Sequence, residues 1–423
     1  MSHPILLLNC GSSSIKYQLL HTDTEEPTAV GIVQRIGQQA GTLDHTTGSD
    51  EFHLDQDFAD HTEAVAAVVR MFHEHGPALD EVIAVGHRTV HGGDTFQESV
   101  LIDDRVIAKL VELSELAPLH NPPAIAGIEA ALLVLPDVPH VAIFDTAFFS
   151  TLPAEAYTYA IDREVMREHG IRKYGFHGTS HQYVSQQAAV FLDRPLESLK
   201  TIVCHLGNGA SISAVDGGVA VETSMGMTPL EGLVMGTRSG DVDPGLHKFL
   251  GSKGMTLIEI DNFLNKKSGM LGLCGYTDMR DVAAQIAIGN EDARLALDVY
   301  VHRLLSYIGA YIAVLGGVDA LCFTAGVGEN AAHIRGPVIE RLAALGFELD
   351  VVANETRSKV AREISTADSK VRVLVIPTNE ELAMARETLR VVQLLEAEST
   401  QGESAYLPER AQSNPGTVSH QRN

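Results

Sequence analysis

Three glycine-rich runs of this chain carry residue types that hold and move anionic groups. Asn9-Cys10-Gly11-Ser12-Ser13-Ser14-Ile15-Lys16 offers backbone N–H groups, small hydroxyls and one ammonium within a single short run. Gly and Ser let a backbone approach a phosphate, and a point cation completes the cradle. The run is not a P-loop, because G-x-x-x-x-G-K-[ST] is absent and a strand-like segment follows it. Taken alone, it reads equally well as a Ser-rich turn. A second polar, Gly-rich tip is His205-Leu206-Gly207-Asn208-Gly209-Ala210. The third run, Gly326-Val327-Gly328-Glu329-Asn330-Ala331, matches G-x-G-x-x-A after an apolar run, with Glu348 and Asp350 further on. That is the context of a dinucleotide fingerprint, so a dehydrogenase is a rival reading. Against it, the run lies late in the chain and leaves the other two tips unexplained. Such a loop can also hold a nucleotide's α-phosphate or ribose.

Charged residues near glycines add a second layer. Arg88 lies in Gly86-His87-Arg88-Thr89-Val90-His91-Gly92-Gly93, and Arg238 lies in Gly236-Thr237-Arg238-Ser239-Gly240-Asp241. An arginine fork grips carboxylate or phosphate bidentately. The bland alternative is a surface salt bridge, but flanking glycines suit close approach of a ligand. The pairs His87/His91 and His177/His181 are spaced i,i+4. Without H-E-x-x-H a metal reading is weak, and an anion site competes with satisfied loop histidines. Asp145 ends an apolar run, where α/β enzymes place functional carboxylates. Glu380 offers oxygen to a hard cation such as Mg²⁺. Each carboxylate also reads as a helix cap or a solvated loop end.

Ile5–Leu8 and Ile15–Leu20 form a hairpin with the Ser-rich run at its tip. Residues 21–60 complete an antiparallel edge, and Thr62–His75 shows helical periodicity. Val82–Val85 and Val141–Phe144 are strands. The opening pattern returns at Thr201–Cys204 and Ser211–Val215, with Asp216-Gly217-Gly218 starting a further hairpin. This repetition suggests a duplicated architecture. Leu321–Ala325 is a strand, followed by the Gly326–Asn330 loop and a helix through Val338–Leu345. After a strand at Val371–Ile376, Thr378 and Glu381 have capping-box spacing ahead of a helix at Leu382–Leu395. Leu304–Phe323 approaches the length of a membrane span, but its glycines and Asp319 point to a buried helix followed by a buried strand.

Composition narrows the partners. The chain has 423 residues, Lys+Arg 31 against Asp+Glu 55, and a net charge of −24. Mean hydropathy is +0.05, which is globular. So negative a chain repels nucleic acid and anionic membranes, and phosphate chemistry must concentrate its few cations locally. Trp is absent and aromatics are 5%, so base-stacking platforms are not expected. Cys10, Cys204, Cys274 and Cys322 lie far apart without a CxxC pair, which fits a reducing cytoplasm. The opening residues lack a basic, long-apolar signal pattern.

Together these segments resemble the acetate kinase family. The resemblance is carried by Asn9–Lys16, Gly86–Gly93, Ala117-Pro118-Leu119-His120-Asn121-Pro122, Phe144–Phe148 and Tyr174–His181. It continues through His205–Gly209, Met227–Leu233, Arg238–Asp241, Asp278-Met279-Arg280 and Phe323–Asn330, in family order. It implies an α/β fold of two duplicated, ribonuclease H-like (actin-like ATPase) domains with nucleotide in the cleft. The N-terminal domain would span 1–149 plus about 383–397 and the C-terminal domain 150–382, with a polar, disordered tail at 398–423.

The resemblance also implies an ATP:acetate phosphotransferase, cytoplasmic and homodimeric, with Mg²⁺ (or Mn²⁺) and ATP/ADP. Asn9 and Glu380 are the implied metal pair. Ser12, Ser14 and Lys16 would lie near the transferred phosphate. His205, Leu206, Gly207, Asn208, Gly209, Asp278, Met279, Arg280, Gly326, Val327, Gly328, Glu329 and Asn330 would contact ATP. Arg88 would bind the substrate carboxylate beside an apolar pocket of Val90, Leu119, Phe176 and Pro229. His177 and Arg238 would stabilise the transition state, and Asp145 would be the acidic catalytic residue. Rival readings are a propionate or butyrate kinase, an NAD-dependent dehydrogenase, and a non-enzymatic actin-like scaffold.

Overall fold

The computed structural model describes residues 4–118 and 120–404. Two mixed sheets carry the fold. The first contains β1 (Pro4–Cys10), β2 (Ser14–His21), β3 (Pro27–Gln34), β4 (Thr42–Thr47), β5 (Asp50–Asp55), β6 (Ala84–Thr89), β7 (Val100–Leu101) and β8 (His140–Phe144). Its order is β5-β4-β3-β2-β1-β6-β8-β7. The second contains β9 (Lys200–Leu206), β10 (Ala210–Asp216), β11 (Val219–Thr223), β12 (Ala320–Thr324), β13 (Arg362–Glu363) and β14 (Arg372–Val375), ordered β11-β10-β9-β12-β14-β13.

The duplication expected from the two polar tips is present in the pairing. β1 is antiparallel to β2 and parallel to β6, which is parallel to β8. Likewise β9 is antiparallel to β10 and parallel to β12, which is parallel to β14. The buried strands β1, β8, β9 and β12 are largely apolar runs because helices cover both faces of each sheet. Leu304–Phe323 is the end of the helix Glu291–Leu315 followed by buried β12. No helix among the described residues is long and apolar enough to cross a membrane.

The last helix, Glu380–Ser404, returns to the first sheet. Its Leu382, Met384, Ala385, Val391 and Val392 pack on Ile5, Leu7, Ala84, Val141 and Ile143. It passes residue 398, where the sequence suggested that a tail begins, and residues 405–423 lie outside the described residues. Its start also differs from expectation. Asn379, not Thr378, caps it, with Asn379 Oδ1 accepting the Leu382 N–H at 3.0 Å. Thr378 is drawn aside, its N–H donating to Glu329 Oε1 at 3.2 Å. The Gly326–Asn330 segment is another departure: it is itself helical, Ala325–Asn330, and a separate helix follows at Ala332–Arg341.

Gly86 on β6 lets the last helix dock closely, because a Cβ there would meet Thr388 Oγ1 at 2.4 Å and Leu7 Cδ2 at 2.8 Å. Gly86→Val should therefore destabilise the protein by about 1–3 kcal/mol through overpacking. Chemical denaturation checks this; wild-type stability in that variant would contradict the packing account.

Candidate active site

One side of the site is built from strand ends of the first sheet. Asn9 and Lys16 are register partners across the β1–β2 hairpin, so both present their side chains to the same face. Ser12 and Ser14 sit at its tip, where the Gly11 N–H donates to the Ser14 carbonyl at 2.8 Å. Arg88 lies one residue from the end of β6, and Asp145 directly follows β8. Their pair is bidentate: Arg88 Nε donates to Asp145 Oδ1 at 2.9 Å and Nη2 to Oδ2 at 2.7 Å. The Asp145 side chain is 3% exposed and that of Arg88 24%. The carboxylate raises the Arg88 pKa, so the guanidinium stays charged. Asp145 takes one edge of the fork and leaves the Nη1 edge for another anion. Asn9, Lys16, Arg88, Glu380 and Glu381 line one cavity of about 350 Å³. Burial pushes the Glu380 carboxyl up to about 7, with Arg88 pulling the other way.

His177 and Arg238 come from the second half and meet over Gly209. A Cβ on Gly209 would lie 3.5 Å from His177 Nε2 and 3.6 Å from Arg238 Nη1, so glycine leaves them room. His177 adopts φ 61 just ahead of the helix Gly178–Leu192, unusual backbone for a residue with a Cβ. The Gly178 N–H donates to the Asp145 carbonyl at 2.9 Å, tying this helix to the first half. Arg238 Nη1 donates to the Pro229 carbonyl at 2.9 Å. Phe176 is buried, and Val90 packs against the same apolar cluster across the cleft. Leu119, the fourth expected pocket residue, lies outside the described residues.

A second cavity of about 680 Å³ gathers much of the expected nucleotide set: Gly207, Asn208, Asp278, Met279, Arg280, Gly326, Val327 and Asn330. The cavity is walled in addition by Gly236 and Ala331, which lie in runs already singled out, and by Thr277, His333 and Arg357, which sequence reasoning missed. The remaining expected nucleotide residues sit elsewhere. Leu206 is core, and His205 is buried behind His177, stacked on it at 4.3 Å between ring centroids. Gly209 faces His177, while Gly328 and Glu329 lie on the inner side of the short helix. Buried Arg335, which carried no sequence signal, braces that helix: its Nη1 donates to the Gly328 carbonyl at 2.7 Å. In each i,i+4 histidine pair at least one ring is taken into the interior. His87 is buried against His140, with 2.9 Å between His87 Nε2 and His140 Nδ1, and His181 is buried on β10.

The acetokinase family profile matches residues 4–386. The chain belongs to that family. It is 54% identical over 388 residues to an acetate kinase of Clavibacter sepedonicus, covering 91% of this chain and 98% of that one. An acetate kinase of Halothermothrix orenii is 50% identical over 396 residues, covering 92% and 99%. Among solved structures, Porphyromonas gingivalis acetate kinase superposes with TM-score 0.88 at 44% identity, over 92% of this chain and 100% of that one. A propionate kinase from Francisella tularensis does so with TM-score 0.87 at 41% identity and the same coverage. Membership displaces the dehydrogenase and non-enzymatic scaffold readings.

Burial first, then neighbouring arginines and histidines, holds the His177 pKa well below its ordinary value. His181 and His87 are likewise held well below theirs, and His91 and His205 are lowered to about 4. A depressed histidine contributes stability that is present above the unfolded value near 6.5 and lost as pH falls through the window below it. Unfolding at pH 5.5 should thus add about four to five protons to these five rings, and almost none at pH 8. Calorimetry in buffers of different ionisation enthalpy measures that uptake; a value near one would contradict the neutral assignments.

Proposed function

We propose that this chain transfers the terminal phosphoryl group of ATP to acetate, reversibly, giving acetyl phosphate and ADP. The observation that carries this reading is the Arg88–Asp145 fork, a charged guanidinium two residues before Val90, which packs in one apolar cluster with Phe176. Acetate is ionised at neutral pH and is already a nucleophile. No base is required, so Asp145 acts by aiming Arg88. A carboxylate oxygen attacks the γ-phosphorus in line as the bond to the β–γ bridging oxygen breaks and ADP leaves. Arg88 holds the carboxylate, with Val90, Leu119, Phe176 and Pro229 around the methyl group. His177, Arg238 and Lys16 face the transferring group, with Ser12 and Ser14 supplying hydroxyls. The 680 Å³ cavity takes the nucleotide.

The donors suit Mg²⁺, which is hard and keeps most of its shell as water and phosphate oxygen. Asn9 and Glu380 offer oxygen in the cavity that holds Lys16, although no cluster of three or more His, Cys, Asp or Glu is placed for a metal among the described residues. We assign the ion to Asn9 and Glu380; when bound, Mg²⁺ (or Mn²⁺) would neutralise the phosphate oxygens. The packing of Glu380–Ser404 on the first sheet supports domains of 1–149 with 383–397, and 150–382. Exposed Phe249, Leu257 and Ile258 on neighbouring helices are consistent with a homodimer. A cytoplasmic location suits the dispersed cysteines.

A propionate kinase remains the second reading, favoured by the Francisella structure. One methylene changes selectivity by only about 1–3 kcal/mol. Hydroxamate trapping of acyl phosphate with ATP, Mg²⁺ and a series of short carboxylates should show acetate with the highest kcat/KM. No acyl phosphate with any acid would refute the activity, and a propionate maximum would move the reading to that substrate. Arg88→Ala should lower kcat/KM by about 2–4 kcal/mol, as for a lost charge donor. Arg88→Lys keeps the charge without the fork and should fall between. Near-wild-type activity in Arg88→Ala would remove the substrate assignment.

A further inference from the structure

Helix Gly178–Leu192 and strand β10 lie against each other with matched rises. Four helical residues climb about 6 Å and two strand residues about 6.6 Å. His177 and His181 therefore stand level with Ser211 and Ser213, which share one face of β10. The side chains join in one line. His177 Nδ1 lies 2.8 Å from Ser211 Oγ, and His181 Nε2 lies 2.7 Å from that same oxygen. Ser213 Oγ lies 2.7 Å from His181 Nδ1. Ser211, Ser213 and His181 are fully buried, while the Nε2 of His177 looks over Gly209 beside Arg238.

Proton counting gives the line a direction. Burial keeps both rings neutral, so each has one N–H. A serine hydroxyl donates once and accepts twice. In one polarity, His177 Nδ1–H donates to Ser211, Ser211 to His181 Nε2, and His181 Nδ1–H to Ser213. The Ser213 proton is then left without an acceptor, because His181 is its hydrogen-bond partner among the described residues. A buried donor without a partner is costly. In the other polarity Ser213 O–H donates to His181 Nδ1, His181 Nε2–H to Ser211, and Ser211 O–H to His177 Nδ1. Every proton inside the line then has an acceptor, and the N–H of His177 sits on Nε2, facing the cleft.

We infer that Ser213, acting through His181 and Ser211, fixes His177 as the Nε2–H tautomer, so that a neutral ring presents a donor to the transferring phosphoryl group. This rests on the role of His177 in the proposed function. The opposite tautomer would turn a lone pair toward an anion. Ser213, His181 and Ser211 touch no substrate, and are positioning residues.

Histidine tautomers are read directly by two-bond proton–nitrogen correlation on full-length, ¹⁵N-histidine-labelled protein, with His177→Ala assigning the signal. Wild-type protein should show His177 as Nε2–H; an Nδ1–H signal overturns the inference. Ser213→Ala should lower kcat roughly 3- to 30-fold with KM for acetate and ATP little changed, a smaller loss than deletion of a donor, about 10²–10³-fold. Its His177 signal should gain Nδ1–H character, and Ser213→Thr, which keeps the hydroxyl, should restore both readouts. An unchanged tautomer in Ser213→Ala, or equal loss in Ser213→Thr, means packing alone and overturns the inference. Should Ser213→Ala fail to fold, the wild-type tautomer still decides. If His177→Ala keeps full kcat while wild-type His177 is Nε2–H, the phosphoryl role fails and the tautomer assignment stands.

Discussion

The buried ion pair between Arg88 and Asp145 is the constraint around which the site is arranged. A guanidinium meant for two anions must stay charged inside a cleft and must point one way. Asp145 does both, since its bidentate contact at 2.9 and 2.7 Å offsets desolvation and fixes the plane of the fork. The same residue also reaches the other half, because its carbonyl accepts the Gly178 N–H at 2.9 Å. Only glycine fits there: a Cβ would lie 2.3 Å from that carbonyl oxygen. The Arg88 guanidinium and the helix that carries His177 are thus hung from one residue, the first from its side chain and the second from its carbonyl.

Duplication supplies the frame and divides the labour. Both sheets open with an antiparallel hairpin followed by parallel strands, so each hairpin tip projects from the same edge of its sheet. The two tips differ in chemistry. The first carries hydroxyls and Lys16, suited to a mobile phosphoryl group. The second carries Gly207 and Gly209, suited to close passage of a nucleotide and of the His177 and Arg238 side chains. Similar scaffolds facing a cleft can hold unlike reactants because the tips, not the strands, set the chemistry.

Much of the frame was legible because it is written in local patterns. Apolar runs marked the buried strands, and the polar tips between them marked the hairpins and hinted at the repeat. The Asp278–Arg280 and Gly326–Asn330 runs were legible as motifs and do converge on one cavity. The illegible parts depend on partners distant in sequence. His87 looked like half of an anion site until β8 placed His140 against it. His205 looked like a nucleotide contact, yet it opposes Ser211 in the hairpin register and stacks behind His177. Thr378 had the spacing of a cap, but its N–H donates to Glu329 and its hydroxyl pairs with Ser180, so Asn379 caps instead. Arg335 is an ordinary helical residue in sequence; only folding buries it against the Gly328 carbonyl it braces.

Net charge and site charge answer to different demands. At −24 the exterior repels anions at long range, yet the cleft faces at least two. Filling it with cations would attract substrate and transition state alike, which tightens binding without speeding transfer. The histidines avoid this. Burial and the neighbouring arginines keep His177 and His205 neutral, so among the described residues of the site the fixed positive charge comes from Lys16, Arg88 and Arg238. A neutral donor held in place gains most where charge spreads onto the equatorial oxygens of the phosphoryl group, which happens at the transition state. The rigid serine–histidine line behind His177 then has a physical purpose: a donor without charge helps only when its proton already points the right way.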